Sequence, residues 1–208
     1  MSSLVRPVAE SLSIAGPVGN LEAILETPVD ASGAMVESAV RPRIAVICHP
    51  HPLYGGTMTN KVVHMLAKAC NELGVRALRF NYRGVGASAG KYDEGNGETD
   101  DAVAVVDWAL SRWPGAELWL GGFSFGGGVA IRTAVLRNAI KRRLREQFRL
   151  RRHALPAVDY MVRLTAVVSL AELDGIVAEW LGALEHDLRK SGATAIPQAT
   201  TVTSGVVA

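Results

Sequence analysis

The sequence predicts an α/β fold with a doubly wound, mostly parallel sheet, and three observations carry that expectation. Strand-like and helix-like segments alternate from about residue 43 to about residue 135. The runs RIAVICHP and AELWLGGFS are almost continuously apolar before they turn polar, as strands buried on both faces are. The segments between strands carry helical apolar spacing, so successive strands are parallel and joined by right-handed crossovers.

The elements follow in order. Residues 11–27, SLSIAGPVGNLEAILET, read as two short strands around the turn GPVGN. A loop rich in turn formers, PVDASGAMVESAVRPR, leads to the buried strand RIAVICHP. KVVHMLAKACNELG places Val62, Val63, Leu66, Ala69 and Leu73 at helical spacing and stops at Gly74. VRALRFNYRG is the next strand. ETDDAVAVVDWALSRW is a helix with acids in its first turn, where the helix dipole favours them. AELWLGGFS is the third buried strand. Leu136, Ile140, Leu144 and Phe148 are spaced by four, which extends the helix after Ser124 to about residue 150. Further on, RLTAVVSL reads as a strand and LDGIVAEWLGALEHDL as a loop and helix. The pattern is weaker here, and the sheet is expected to be firm only up to residue 135. The 208 residues fit one domain over 1–208, with its core in 10–134, a basic helix over 137–153 and a frayed tail over 189–208.

Composition excludes several classes. With 49% hydrophobic and 20% charged residues the chain is globular rather than disordered. Two cysteines, Cys48 and Cys70, are too few for a disulfide framework, and both read as small apolar side chains in a reducing, cytoplasmic setting. No signal peptide is legible in MSSLVRPVAESLSI, and no apolar run has the roughly 18 residues of a membrane span. The net charge of +2 conceals an asymmetry, since Arg137–Arg152 holds eight Lys or Arg and one Glu. That segment carries +7 and leaves −5 on the rest.

Gly122-Phe123-Ser124-Phe125-Gly126 is G-x-S-x-G between a strand and a helix. A turn that sharp holds the serine in a strained backbone, and flanking glycines avoid Cβ clashes. It exposes the hydroxyl beside a helix N-terminus, which suits a nucleophile. The bland alternative is a glycine-rich packing turn. A phosphate-cradling loop fits less well, because no Lys follows. The loop Cys48-His49-Pro50-His51-Pro52-Leu53-Tyr54-Gly55-Gly56 follows the first buried strand. In serine-nucleophile chemistry such a loop supplies one N–H of an oxyanion hole, here from His51 or Leu53, and Phe125 supplies the other. His49 and His51 lack further ligands at metal spacing, so neither a metal nor a cofactor is expected. RFNYRGVGAS offers G-x-G without the remainder of a dinucleotide loop.

HPHPLYGGTMTNKVV, RFNYRGVGASAG, the GNGE segment and LWLGGFSFGGGVA, in that order, resemble the small bacterial α/β-hydrolases of the dienelactone hydrolase and prolyl-peptidase-like group. The resemblance runs from about residue 10 to residue 134. It implies an α/β-hydrolase fold without a large lid, and hydrolysis of a small-molecule ester or similar acyl bond. Ser124 takes the place of the nucleophile, with Phe125 and the His51–Leu53 loop as oxyanion hole. It also implies an acid and a late histidine. Asp174, in Leu173-Asp174-Gly175-Ile176-Val177, matches the latter half of the family's acid loop. No histidine follows His186, which comes only twelve residues after Asp174, so His186 is the nearest candidate base and departs from the family spacing. His153 precedes the acid and breaks the family order.

The basic stretch NAIKRRLREQFRLRRHALP also departs from that pattern. Three readings compete: a solvated helix extension; a surface for an acidic partner, either nucleic acid or an acidic membrane surface; and a disrupted reading frame. The functional alternative to a hydrolase is therefore an impaired hydrolase-fold protein that binds an acidic partner through residues 137–152. Substrate, ester against amide preference and oligomeric state are not legible.

Overall fold

The computed structural model describes residues 6–36 and 41–151, together with the single positions 175 and 182. The chain divides into two compact units, residues 1–134 and residues 135–208.

In the first unit, β1 (Arg6–Gly16) and β2 (Gly19–Val29) form an antiparallel hairpin whose two-residue turn is Pro17-Val18. The two strands are longer than the predicted pair within 11–27. β3 (Arg43–Cys48), α1 (Lys61–Glu72), β4 (Arg76–Phe80), α2 (Asn96–Arg112) and β5 (Glu117–Gly122) follow, and α3 (Phe125–Arg151) leaves the elbow after β5. The sheet order is β1-β2-β4-β3-β5. β4, β3 and β5 are parallel, while β2 joins β4 antiparallel, so the sheet is mixed.

The period of two along β3 explains the double winding. Ala45 and Ile47 face one side, where Val63 and Ala67 of α1 pack with Val75 and Ala77. Ile44, Val46 and Cys48 face the other, against Ala102, Val105, Val106 and Ala109 of α2 and Val129 and Ala130 of α3. A strand covered on both sides must be apolar on both, and RIAVIC is. The helix ends are specified locally. The Asn60 side chain accepts from the Val62 N–H at 2.9 Å to start α1, and Gly74 takes φ +69 beyond its end.

This winding also places a crevice. β3 and β5 are neighbours, yet the helix after β3 lies on one face and the helix after β5 on the other. Loops leaving the carboxyl ends of two such strands diverge, and ligands of open α/β sheets bind between them. Those loops are HPHPLYGG and GFSFG.

Beyond residue 151 the predicted strand RLTAVVSL, the loop and helix of LDGIVAEWLGALEHDL and the tail over 189–208 lie outside the described residues.

Candidate active site

The elbow is built by close approaches that tolerate no side chain. A Cβ on Gly122 would stand 2.3 Å from the Gly126 carbonyl oxygen, and one on Gly126 would stand 2.3 Å from the Cys48 carbonyl oxygen. Both neighbours are backbone and cannot swing aside, so glycine is required on both sides of the serine. Ser124 itself adopts φ +56, a left-handed conformation that costs a side-chain-bearing residue about 1–3 kcal/mol. The Phe123 N–H donates to the Cys48 carbonyl at 3.3 Å, which ties the elbow to the end of β3. The Ser124 side chain is exposed and bonds to no group among the described residues.

Across the crevice the loop after β3 turns through a short 3₁₀ helix, Pro52–Tyr54. Its N–H groups are largely consumed within the loop. Tyr54 and Gly56 both donate to the His51 carbonyl at 3.1 Å, Gly55 donates to Pro52, and Leu53 donates to His51 Nδ1 at 3.3 Å. Leu53, one of the two predicted oxyanion donors in this loop, therefore spends its N–H on the turn. Among the described residues the N–H groups of His51 and Phe125 donate to nothing, and the two residues adjoin, their rings 4.8 Å apart between centroids.

The two loop histidines differ in setting but share one property. His49 is fully buried; its Nδ1–H donates to the Pro50 carbonyl at 2.7 Å and its Nε2 accepts from the Tyr82 N–H at 3.2 Å. Burial lowers its pKa to about 4, so the ring is neutral. His51 accepts at Nδ1 from Leu53, which leaves its proton on Nε2, donated to Tyr92 Oη at 3.1 Å. Both rings are thus committed to shaping the loop, and neither has a nitrogen left to activate a serine. Cys48 is no rival nucleophile, since burial pushes its thiol up to about 12. Among the described residues no cluster of His, Cys, Asp and Glu has the makings of a metal site.

The polar residues of RFNYRG brace this architecture. Arg79 is buried against Glu26 at 3.0 Å and also donates to the Met58 carbonyl at 2.7 Å. Asn81 accepts from the Met58 N–H and donates to Glu22, holding the far end of the loop after β3. Arg83 meets Asp101 at 2.8 Å; burial raises the Asp101 pKa despite that cation. Glu98 is fully buried at the start of α2, where its two oxygens accept from the Asp93 and Gly95 N–H groups. Sequence reading missed Tyr54, Tyr92 and Glu98 as neighbours or supports of the site. Only Glu98 had a local signal, an acid three residues after a glycine that opens a helix.

Asp174 and His186, the predicted acid and base, lie outside the described residues, as does His153.

In the second unit, residues 135–151 of α3 carry the predicted basic stretch. Val135, Asn138, Lys141, Arg142 and Arg145 line a hollow of about 490 Å³ along one helix face. Lys141, Arg142 and Arg145 are exposed. Arg149 pairs with Glu146 at 2.7 Å.

Comparison with known proteins divides the chain at the same place. Residues 46–142 match the alpha/beta hydrolase fold family. An alpha-beta serine hydrolase homologue from Coxiella burnetii is 47% identical, with a TM-score of 0.55 over 60% of this chain and 56% of its own. A serine hydrolase without lid from Xanthomonas campestris is 45% identical, with a TM-score of 0.56 over 61% of this chain and 56% of its own. Residues 128–186 match a different family, Ribonuclease P. The Ribonuclease P protein component of Bordetella avium is 56% identical over 43 residues, which is 21% of this chain and 36% of that protein. The chain thus spans little more than half the length of these two hydrolases. Its basic stretch, which departs from the hydrolase pattern, lies within the Ribonuclease P match. Asp174 and His186 fall within the Ribonuclease P match, beyond the reach of the hydrolase match. The segment through residue 142 has the α/β-hydrolase fold and is similar to small bacterial serine hydrolases.

Proposed function

We propose that this α/β-hydrolase-fold segment cleaves small esters or related acyl compounds, with Ser124 as nucleophile. The observation that carries the reading is Ser124 at φ +56 between two glycines that admit no Cβ. A strained, exposed hydroxyl at the carboxyl edge of the sheet is what acyl transfer uses, and a packing turn has no need of it. In the reaction Ser124 Oγ attacks the acyl carbonyl and its proton passes to a base. The carbonyl oxygen gains a negative charge, which the N–H groups of His51 and Phe125 receive. The tetrahedral intermediate collapses, the C–O bond to the leaving alcohol breaks, and the alcohol departs with the proton held by the base; water then attacks the acyl-serine, the acid leaves, and Ser124 Oγ regains a proton. His49 and His51 are occupied, so neither is the base; the expected pair Asp174 and His186 falls in the stretch that matches Ribonuclease P. The test is the intact mass of the 22.1 kDa chain after exposure to a fluorophosphonate. An adduct that disappears in Ser124→Ala supports the reading; a chain that takes no label overturns it, because such reagents need an activated hydroxyl.

A second reading concerns the other unit. The basic face of α3, with the Ribonuclease P match over the same residues, favours RNA as the acidic partner over a membrane surface. The assay is binding to a structured RNA across a salt series. Affinity falls steeply with salt, and Arg142→Ala with Arg145→Ala reduces the log–log slope by about one for each phosphate that is no longer neutralised. An unchanged slope removes this face from any RNA interface.

A further inference from the structure

We propose that Tyr92 is a positioning residue for the oxyanion hole, acting through His51; the inference rests on the serine-hydrolase reading. Three features of the crevice carry it.

The first is the economy of hydrogen bonds at His51. Its carbonyl takes the N–H groups of Tyr54 and Gly56, and its Nδ1 takes the N–H of Leu53. Three of the turn's N–H groups that could compete for an oxyanion are folded back onto this one residue. The N–H of His51 itself remains. The direction of that N–H follows from where the ring and the carbonyl are held.

The second is what holds the ring. Tyr92 Oη receives the His51 Nε2–H at 3.1 Å, and the two rings lie 5.1 Å apart between centroids. Phe125, whose N–H is the other proposed donor, touches both rings, at 4.8 Å from His51 and 6.2 Å from Tyr92. The three side chains form a triangle spanning the two sides of the hole. Since Nδ1 already accepts from Leu53, removing the Tyr92 oxygen leaves Nε2–H without its acceptor, and the ring is then held at Nδ1 alone.

The third is that Tyr92 is itself anchored. The next residue, Asp93, donates its N–H to buried Glu98 at 2.9 Å, Gly95 donates to the same carboxylate at 2.7 Å, and Asp93 accepts from the Gly97 N–H at 3.0 Å. A carboxylate at the start of α2 thereby fixes a loop, the loop fixes a phenol, and the phenol fixes the residue that stabilises charge. An ordinary surface tyrosine has no such backing.

The experiment uses the full chain and two readouts on Tyr92→Phe, which keeps the ring packing and deletes the oxygen. Amide hydrogen exchange at Leu53, Tyr54 and Gly56 is expected to accelerate about fivefold, the equivalent of one ordinary hydrogen bond, with the amides of α1 unchanged. The Nε2 and Nε2–H resonances of His51 are expected to shift as that N–H loses its acceptor, a signature that a tyrosine not bonded to the ring does not give. The rate of fluorophosphonate labelling is expected to fall by a similar factor. Unchanged exchange and ring resonances overturn the proposal, and so does accelerated exchange with an unchanged labelling rate. A wild-type chain that takes no label sinks the serine-hydrolase reading instead, and exchange with the ring signals then decides the Tyr92–His51 clamp alone.

Discussion

Arg79 and Arg142 lie in two regions that treat the same side chain in opposite ways. Arg79, in the first unit, is 5% exposed and divides its donors between the Glu26 carboxylate and the Met58 carbonyl. Arg142, on the outer half of α3, stands in solvent beside Lys141 and Arg145. A guanidinium buried among fixed acceptors serves as a strut: it ties the loop at Met58 to strand β2. The Arg142 guanidinium, on an exposed helix face, bonds to no acceptor among the described residues. The difference separates charge that builds a site from charge that offers one.

The comparison breaks most visibly at Arg79. Arg79→Ala leaves Glu26 buried without its cation, an expected loss of about 3–5 kcal/mol in urea unfolding. Arg142→Ala is expected to change stability by less than about 0.5 kcal/mol, as surface substitutions do, while it weakens binding to RNA. Equal losses at the two positions contradict the distinction.

A sharper test uses His49. In the folded protein burial holds this ring neutral down to about pH 4, whereas in the unfolded chain it takes up a proton near its ordinary 6.5. Below 6.5 the unfolded state binds the extra proton first. The contribution of His49 is therefore complete above about pH 6.5 and is lost as the pH falls toward 4, by about 3 kcal/mol in all. Urea midpoints followed across that window should show the slope, and His49→Gln should flatten it. No comparable slope is expected from exposed arginines, which stay charged throughout.

The legible part of the fold was the part governed by local rules. The alternation in RIAVIC, the helical spacing of KVVHMLAKACNE and the glycine just after it depend only on near neighbours, and α1, β3, β4, α2 and β5 stand where such signals put them. Ser124 was legible because a sharp elbow admits only a narrow choice of residues. The function of RFNYRG was not. Whether Arg79 faces solvent or a carboxylate depends on Glu26, more than fifty positions earlier, and no local pattern reports that pairing. The same holds for Leu53: that its N–H belongs to the turn depends on where the His51 ring lies, and that ring is also bonded to Tyr92, far along the chain. The basic stretch was visible as a charge anomaly, yet its composition suits any polyanion, and only likeness to a second family narrows it.

The two family matches overlap over residues 128–142, inside a single helix. An α-helix satisfies its backbone from within, each N–H bonding four residues back, so its two ends owe each other nothing but continuity. A seam between two ancestries in the middle of a strand would strand half of a hydrogen-bond ladder on an absent neighbour. In α3 the same seam needs only that both sequences favour helix. Among the described elements, α3 is the one that both family matches enter, and helix is a form that both patterns can share.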